Sequence, residues 1–238
     1  MNFTYPEIEG DKAEKPELLA TETEKPAPDG KKDHDPMRVA AVAISWIMVP
    51  LLMPVYGIIL ILNLSILDNV ALLTKFIVTG CIFGINALLP MLLIFLLNRL
   101  GVVSDVALNN QRERPLPYII SIIGYLLSAL YLWSRGAAPW LWLMFCGGGT
   151  TALISLIVNF RWKISAHAAG AAGVVAMLAV VMLKGDPAVP MMPWLFGSMA
   201  LAGVLGSCRI YLRRHTLAQV LAGYLNGFVP VFALAYFL

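Results

Sequence analysis

From about Val39 to the C-terminus the chain alternates long apolar runs with short polar connections. A run of about 20 apolar residues wound at about 1.5 Å per residue crosses the roughly 30 Å hydrocarbon core of a bilayer. Seven helices are predicted on this basis: Val39 to Leu64, Phe76 to Leu97, Tyr118 to Trp133, Trp140 to Phe160, His167 to Leu183, Met191 to Leu205, and Leu217 to Leu238. The third is the shortest. Pro50 and Pro54 predict a kink in the first and Pro90 in the second, because proline removes an amide donor and crowds the preceding turn. A re-entrant hairpin around Pro50 is an alternative that changes the count. The expected fold is therefore an all-α, polytopic transmembrane bundle of six to seven spans. Trp133, Trp140, Trp162 and Trp194 fall near predicted ends, where an aromatic belt meets the membrane interface. The small-residue clusters Gly147 to Thr151 and Ala168 to Gly173 predict close helix approaches.

Composition agrees. Apolar residues make up 59% of the chain and charged residues 13%, mean hydropathy is +0.78, and soluble domains carry roughly 25% charge. Residues 1–38 differ: they hold ten acids and six bases for a net charge of −4, with too few large apolar groups to fold alone. They are expected to form a disordered N-terminal tail in front of a helical domain at 39–238. The acidic start and late first apolar run do not fit a signal peptide, and His34 is read as a solvated bystander. Cys81, Cys146 and Cys208 show no metal-ligand spacing and are read as packing residues.

The body is basic, with a net charge of +7 over residues 39–238, which favours anionic lipid or phosphate partners over nucleic acid. If each run crosses once, the tail and the connections Asn98 to Pro117, Arg161 to Ala166 and Gly206 to Thr216 share one side. That side holds Arg99, Arg112, Arg114, Arg161, Lys163, Arg209, Arg213 and Arg214, against Lys75, Arg135 and Lys184 on the other. The positive-inside rule makes the first side cytoplasmic. Setting aside Arg114, Lys163 and Arg209 as candidates for chemistry narrows eight against three to five against three, and the rule then leaves the side open.

Candidate chemistry concentrates in three tail-side stretches. The sequence SCRIYLRRHTLAQ, Ser207 to Gln219, places Arg209, Arg213, Arg214 and His215 between two apolar runs, where charge requires an interface or a partner. Arg213 and Arg214 fit a simple interfacial anchor; Arg209 and His215 fit a site for an anion. In LNNQRERPLPY, Arg114-Pro115 holds an arginine where a helix begins, although Glu113 could simply offset it in solvent. In NFRWKISAHAAG, Ser165 is placed to cap the fifth helix, next to Lys163 and His167, and a capped helix start is a ready anion site.

In order, these stretches resemble the type 2 phosphatidic acid phosphatase superfamily of membrane lipid phosphatases, whose motifs are Lys-x6-Arg-Pro, Pro-Ser-Gly-His and Ser-Arg-x5-His-x3-Asp. The corresponding residues are Arg114-Pro115, Ile164-Ser165-Ala166-His167, and Cys208-Arg209-x5-His215-x3-Gln219. The resemblance covers roughly Asn98 to the C-terminus. Two positions depart: the family lysine falls on Ala107, with Lys163 or Arg112 as possible substitutes, and the family aspartate falls on Gln219. Thr216 and Gln219 also fit a capping box, which competes for the same side chain.

The resemblance implies an enzyme in which His215 attacks phosphorus and forms a phosphohistidine, His167 exchanges protons, and Gln219 orients His215. Arg114, Arg209, Lys163 and Ser165 would hold the phosphate. It implies no cofactor and no metal; Asp68, Asp105, Glu113 and Asp186 are too dispersed for a two-metal site. The expected substrate is the phosphomonoester or diphosphate of a membrane lipid, phosphatidate-like or polyprenyl, and the expected location a bacterial inner membrane. The alternatives are a lipid phosphotransferase, a non-enzymatic lipid-phosphate binding or transport protein with a degenerate site, a membrane scaffold, and a secondary transporter relying on Asn86 and Ser155 near mid-membrane.

Overall fold

Hydrocarbon offers a backbone amide no partner, so a chain this apolar must satisfy its hydrogen bonds within each segment. The computed structural model, which describes residues 35–101, 115–184 and 187–238, does so with helices. These are α1 (Pro36–Ile47), α2 (Met53–Leu64), α3 (Leu72–Phe83), α4 (Leu89–Arg99), α5 (Pro115–Ser134), α6 (Pro139–Asn159), α7 (Ala166–Lys184), α8 (Met191–Tyr211) and α9 (Leu217–Phe237). Seven helical stretches are long and apolar enough to cross a membrane. The tail at 1–34 lies outside the described residues, and helix begins at Pro36 rather than after residue 38.

Two boundaries and one interior turn stand out against expectation. The third run is a full 20-residue helix. The sixth run is expected to end at Leu205, yet α8 runs on to Tyr211, with the Ser207 hydroxyl turned back onto the Gly203 carbonyl at 2.9 Å. Arg209 therefore sits in the last helical turn, and the connection shrinks to residues 212–216. In the second run, Pro90 cannot donate to the Asn86 carbonyl, and the turn before it widens into a π-turn at Gly84–Leu88. Asn86 is buried there and donates to Ser128 Oγ of α5 at 2.6 Å.

The first run is broken rather than bent. Val49 is extended, as the residue before a proline prefers, and a single 3₁₀ turn, Pro50–Leu52, leads into α2. No re-entrant hairpin forms: α2 continues to the opposite end, where the Leu64 carbonyl accepts from Ala188 N–H at 3.0 Å. Both ends of α1 are tied to one end of the bundle. Asp35 accepts from the hydroxyl of Tyr211, the last residue of α8, at 2.6 Å, while Ser45 O meets Nε2 of His167, the second residue of α7, at 3.2 Å. Ten helical residues span about 15 Å, so α1 reaches from the end of α8 to the start of α7, and Pro50 to Leu64 carries the run on to the opposite end.

Packing centres on α7, whose residues from Val175 to Val181 are all buried. A Cβ on Gly223 of α9 would stand 2.6 Å from the Ser165 carbonyl, and one on Gly227 would collide with the backbone of Ala169. The Gly223-x-x-x-Gly227 spacing thus lets the two backbones touch. On the α6 side, Pro230 leaves the Asn226 carbonyl without its helical donor, and Thr151 Oγ1 supplies one at 3.0 Å. Asn226 Nδ2 returns bonds to Thr151 O at 3.1 Å and Ser155 Oγ at 2.8 Å. Each such bond contributes about 0.6 kcal/mol in a membrane bundle.

Two outcomes are expected. Gly223→Ala should cost roughly 1–3 kcal/mol, an overpacking penalty, and Gly227→Ala more, whereas Gly203→Ala, which meets nothing within 4 Å, should not lower the thermal midpoint in detergent. The Tyr211 hydroxyl and the Met37 N–H hold the Asp35 carboxyl below its usual range. A depressed carboxylate pKa contributes stability that is present at neutral pH and lost as pH falls through it, below about 3.9. Hydrogen exchange of α1, corrected for intrinsic rate, should stay constant down to that region and then accelerate, while Tyr211→Phe should accelerate it already at neutral pH.

Candidate functional site

The arginine and histidine of the α8–α9 elbow are placed by the way one helix stops and the next starts. Arg213 takes a left-handed backbone (φ 52°), its N–H bonds the Ile210 carbonyl at 2.8 Å, and the Arg214 N–H bonds the Arg209 carbonyl at 3.1 Å. These are the two bonds of a Schellman stop, normally built on glycine; an L-residue there costs about 1–2 kcal/mol. The His215 N–H shares the Arg209 carbonyl at 3.4 Å. Thr216 then caps α9. The five residues between Arg209 and His215 are the end of α8 and the stop that closes it, and the start of α9 follows His215 directly.

Gln219 makes the capping contacts and a contact to His215 at once. The Thr216 N–H donates to Gln219 Oε1 at 3.2 Å, and Thr216 Oγ1 accepts from the Gln219 N–H at 3.3 Å, completing the capping box. The same Oε1 lies 3.1 Å from His215 Nδ1. A backbone N–H can face only the oxygen of the amide, so the side chain's orientation is set, and an oxygen acceptor places the histidine proton on Nδ1. The neutral lone pair is then on Nε2, in a side chain only 8% exposed.

The backbone of Gln219 reaches the second stretch: its carbonyl accepts from the Ser165 N–H at 3.2 Å. Ser165 is fully buried, and its Oγ accepts from the Ala168 N–H at 3.4 Å, a long capping bond. As it stands, Ser165 acts by joining the starts of α7 and α9, with its N–H used inside the protein. His167 follows in the first turn of α7, with Nε2 donating to the Ser45 carbonyl of α1. The two histidine stretches therefore lie at the same end, linked through Ser165 and Gln219. Two positive helix starts face that end, joined by half-buried Lys163 and Arg209.

Arg114 and Arg112, like Ala107 and Glu113, lie outside the described residues. Arg99 is held over the Phe95 ring at 5.2 Å, and Arg161, Arg213 and Arg214 are exposed. At the opposite end Lys75 pairs with Asp68 at 2.7 Å, while Arg135 and Lys184 cover Tyr131 and Tyr236. Among the described residues no three His, Cys, Asp or Glu side chains are grouped to share a metal ion. Asn86 and Ser155 serve interhelical hydrogen bonds. Sequence reading missed Ser45, whose contact depends on where α1 lies, and Gly223 and Gly227, whose small-xxx-small spacing was there to be read.

Because Gln219 already caps α9, Gln219→Glu keeps the capping box and adds a negative charge beside His215. The His215 pKa, followed by imidazole NMR, is expected to rise relative to the parent. No rise would mean that the two side chains are not in contact.

Compared with protein-family models, with characterised proteins and with solved structures, the chain shows no match in any of the three.

Proposed function

We propose that this protein is a metal-independent membrane lipid phosphatase of the type 2 phosphatidic acid phosphatase kind, acting on a phosphomonoester or diphosphate of a lipid. The observation that carries the reading is the Gln219 side chain, which puts the His215 proton on Nδ1 and so directs the Nε2 lone pair to nucleophilic use. In the first step His215 Nε2 attacks phosphorus, a P–N bond forms, and the P–O bond to the lipid breaks. The leaving oxygen takes a proton from His167; with Nε2 bonded to Ser45, that exchange falls to Nδ1. In the second step water attacks phosphorus, His167 accepts the water proton, the P–N bond breaks, and phosphate leaves.

Arg209, Lys163 and Arg114 neutralise the phosphoryl oxygens in this reading, and the starts of α7 and α9 add their dipoles. In this reading the protein belongs to a bacterial inner membrane, with the substrate phosphate at headgroup level. Gln219 in place of a carboxylate supports a second reading, a non-enzymatic lipid-phosphate binding or transport protein, because an amide fixes the tautomer without stabilising the imidazolium charge. A phosphotransferase would use the same first step with a lipid acceptor in place of water.

Purified protein in phosphatidylcholine vesicles should release inorganic phosphate from phosphatidate or polyprenyl diphosphate. His167→Ala should slow release by about 10²–10⁴-fold, and His215→Ala should bring it to background. Phosphate release undiminished in both variants would overturn the mechanism. Binding without release would select the transport reading, and a phosphorylated lipid product the transferase.

A further inference from the structure

Beside the histidine site, on the membrane side of α1, lies a groove of about 500 Å³ between α2 and α8 with α7 as its floor. That volume falls in the usual range of ligand pockets, about 300–1,000 Å³. The floor residues Ala171 and Val174 follow His167 at i+4 and i+7, so they continue the stripe of α7 that carries the histidine. Ile44 lines the groove next to Ser45, which touches His167. Ser198, Leu201 and Val204 form the α8 wall. On that helix Cys208 and Tyr211 continue the same stripe up to the contact with Asp35. α1 thus crosses the head of the groove as a strap pinned to the α8 wall and to the α7 floor.

The lining asks for hydrocarbon. Its two hydroxyls are satisfied within the protein: Tyr56 donates to the Ile47 carbonyl and Ser198 to the Leu195 carbonyl, each at 2.8 Å. The other lining groups are aliphatic, and Ile59, Leu201 and Val204 are 41%, 57% and 48% exposed toward the bilayer level. The break at Val49–Pro50 and the small side chains of Ala171 and Ser198 create the space.

We propose that this groove receives a hydrocarbon chain of the lipid whose phosphate is bound at the His167–His215 end; this rests on the reading above. A chain seated there is continuous with the polar end through the shared stripe of α7. It gives the protein a hold on the lipid that a soluble phosphate ester lacks, through close packing of the chain against the groove rather than through escape from water.

The test uses full-length His215→Ala protein, which leaves the phosphate in place, in phosphatidylcholine vesicles doped with a phosphatidate carrying a diazirine late in one chain. A diacylglycerol with the same chain is the comparison. After irradiation, peptides containing Ile59 and Leu201 should be labelled about tenfold more by the phosphatidate than peptides containing Leu92 and Phe95, which are exposed on α4. The diacylglycerol should lose that preference. Ser198→Phe and Val204→Trp, which fill the groove from half-buried or exposed positions, should each abolish it without unfolding the protein.

Equal labelling of α4, or labelling indifferent to both filling variants, would mean ordinary annular lipid and sink the proposal. So would a Leu201→Cys protein that forms disulfide-linked dimers with the groove unlabelled, which would give the face to a second copy. Phosphate-dependent labelling with no phosphate release by the parent protein would keep the groove and overturn the catalytic reading. Release without labelling would do the reverse.

Discussion

The direct contact of the α7 and α9 backbones is the constraint on which the rest depends. Lipid tails are as apolar as leucine, so helices in a bilayer gain little from burying apolar surface against each other, and association rests on close packing and polar contacts. Gly223 and Gly227 remove the side chains that would hold these backbones apart. Only with that approach can the Gln219 carbonyl reach the Ser165 N–H and bring two histidine-bearing helix starts to one place. The Thr151–Asn226 exchange and the Asn86–Ser128 bond tie the neighbouring helices by polar contacts, and Thr151 supplies the donor that Pro230 denies the Asn226 carbonyl.

At the polar end the groups that could do chemistry also perform the ordinary work of ending and starting helices. The Arg209 carbonyl closes α8, Thr216 opens α9, and Gln219 completes the cap while contacting His215. This economy fixes the imidazole's tautomer and heading with no element devoted to that task. The cap needs only an acceptor oxygen, which glutamine supplies as well as a carboxylate would, whereas charge matters only to an imidazolium.

The broken first run gives the bundle its asymmetry. Val49 and Pro50 interrupt the helical ladder between α1 and α2. The break turns α1 across the end of the bundle, where Asp35 and Ser45 pin it to α8 and α7. The space beneath it, floored by the continuation of the His167 stripe, becomes an apolar slot open to lipid. One proline thereby affects both what the histidine touches and what lies beside it.

Much of the fold was legible in the residues alone, since length and apolarity decide where a chain can cross hydrocarbon, and the seven runs match the seven helical stretches to within a few residues at most ends. That the two histidine stretches share one end also followed from counting crossings. The run expected to end at Leu205 continues as helix to Tyr211, since polar residues such as Ser207 and Arg209 can form the closing turn of a membrane helix as well as the connection that leaves it. Composition could not say that one Gln219 oxygen would both cap a helix and face an imidazole, that Ser165 would spend its N–H on Gln219, or that α1 would turn aside to meet His167. Those outcomes are contacts between residues far apart in the chain, and they exist only because two glycines in α9 let backbones touch and one proline breaks a helix. The linear pattern determined which segments enter the membrane; the tertiary approach of those segments decided which polar groups meet.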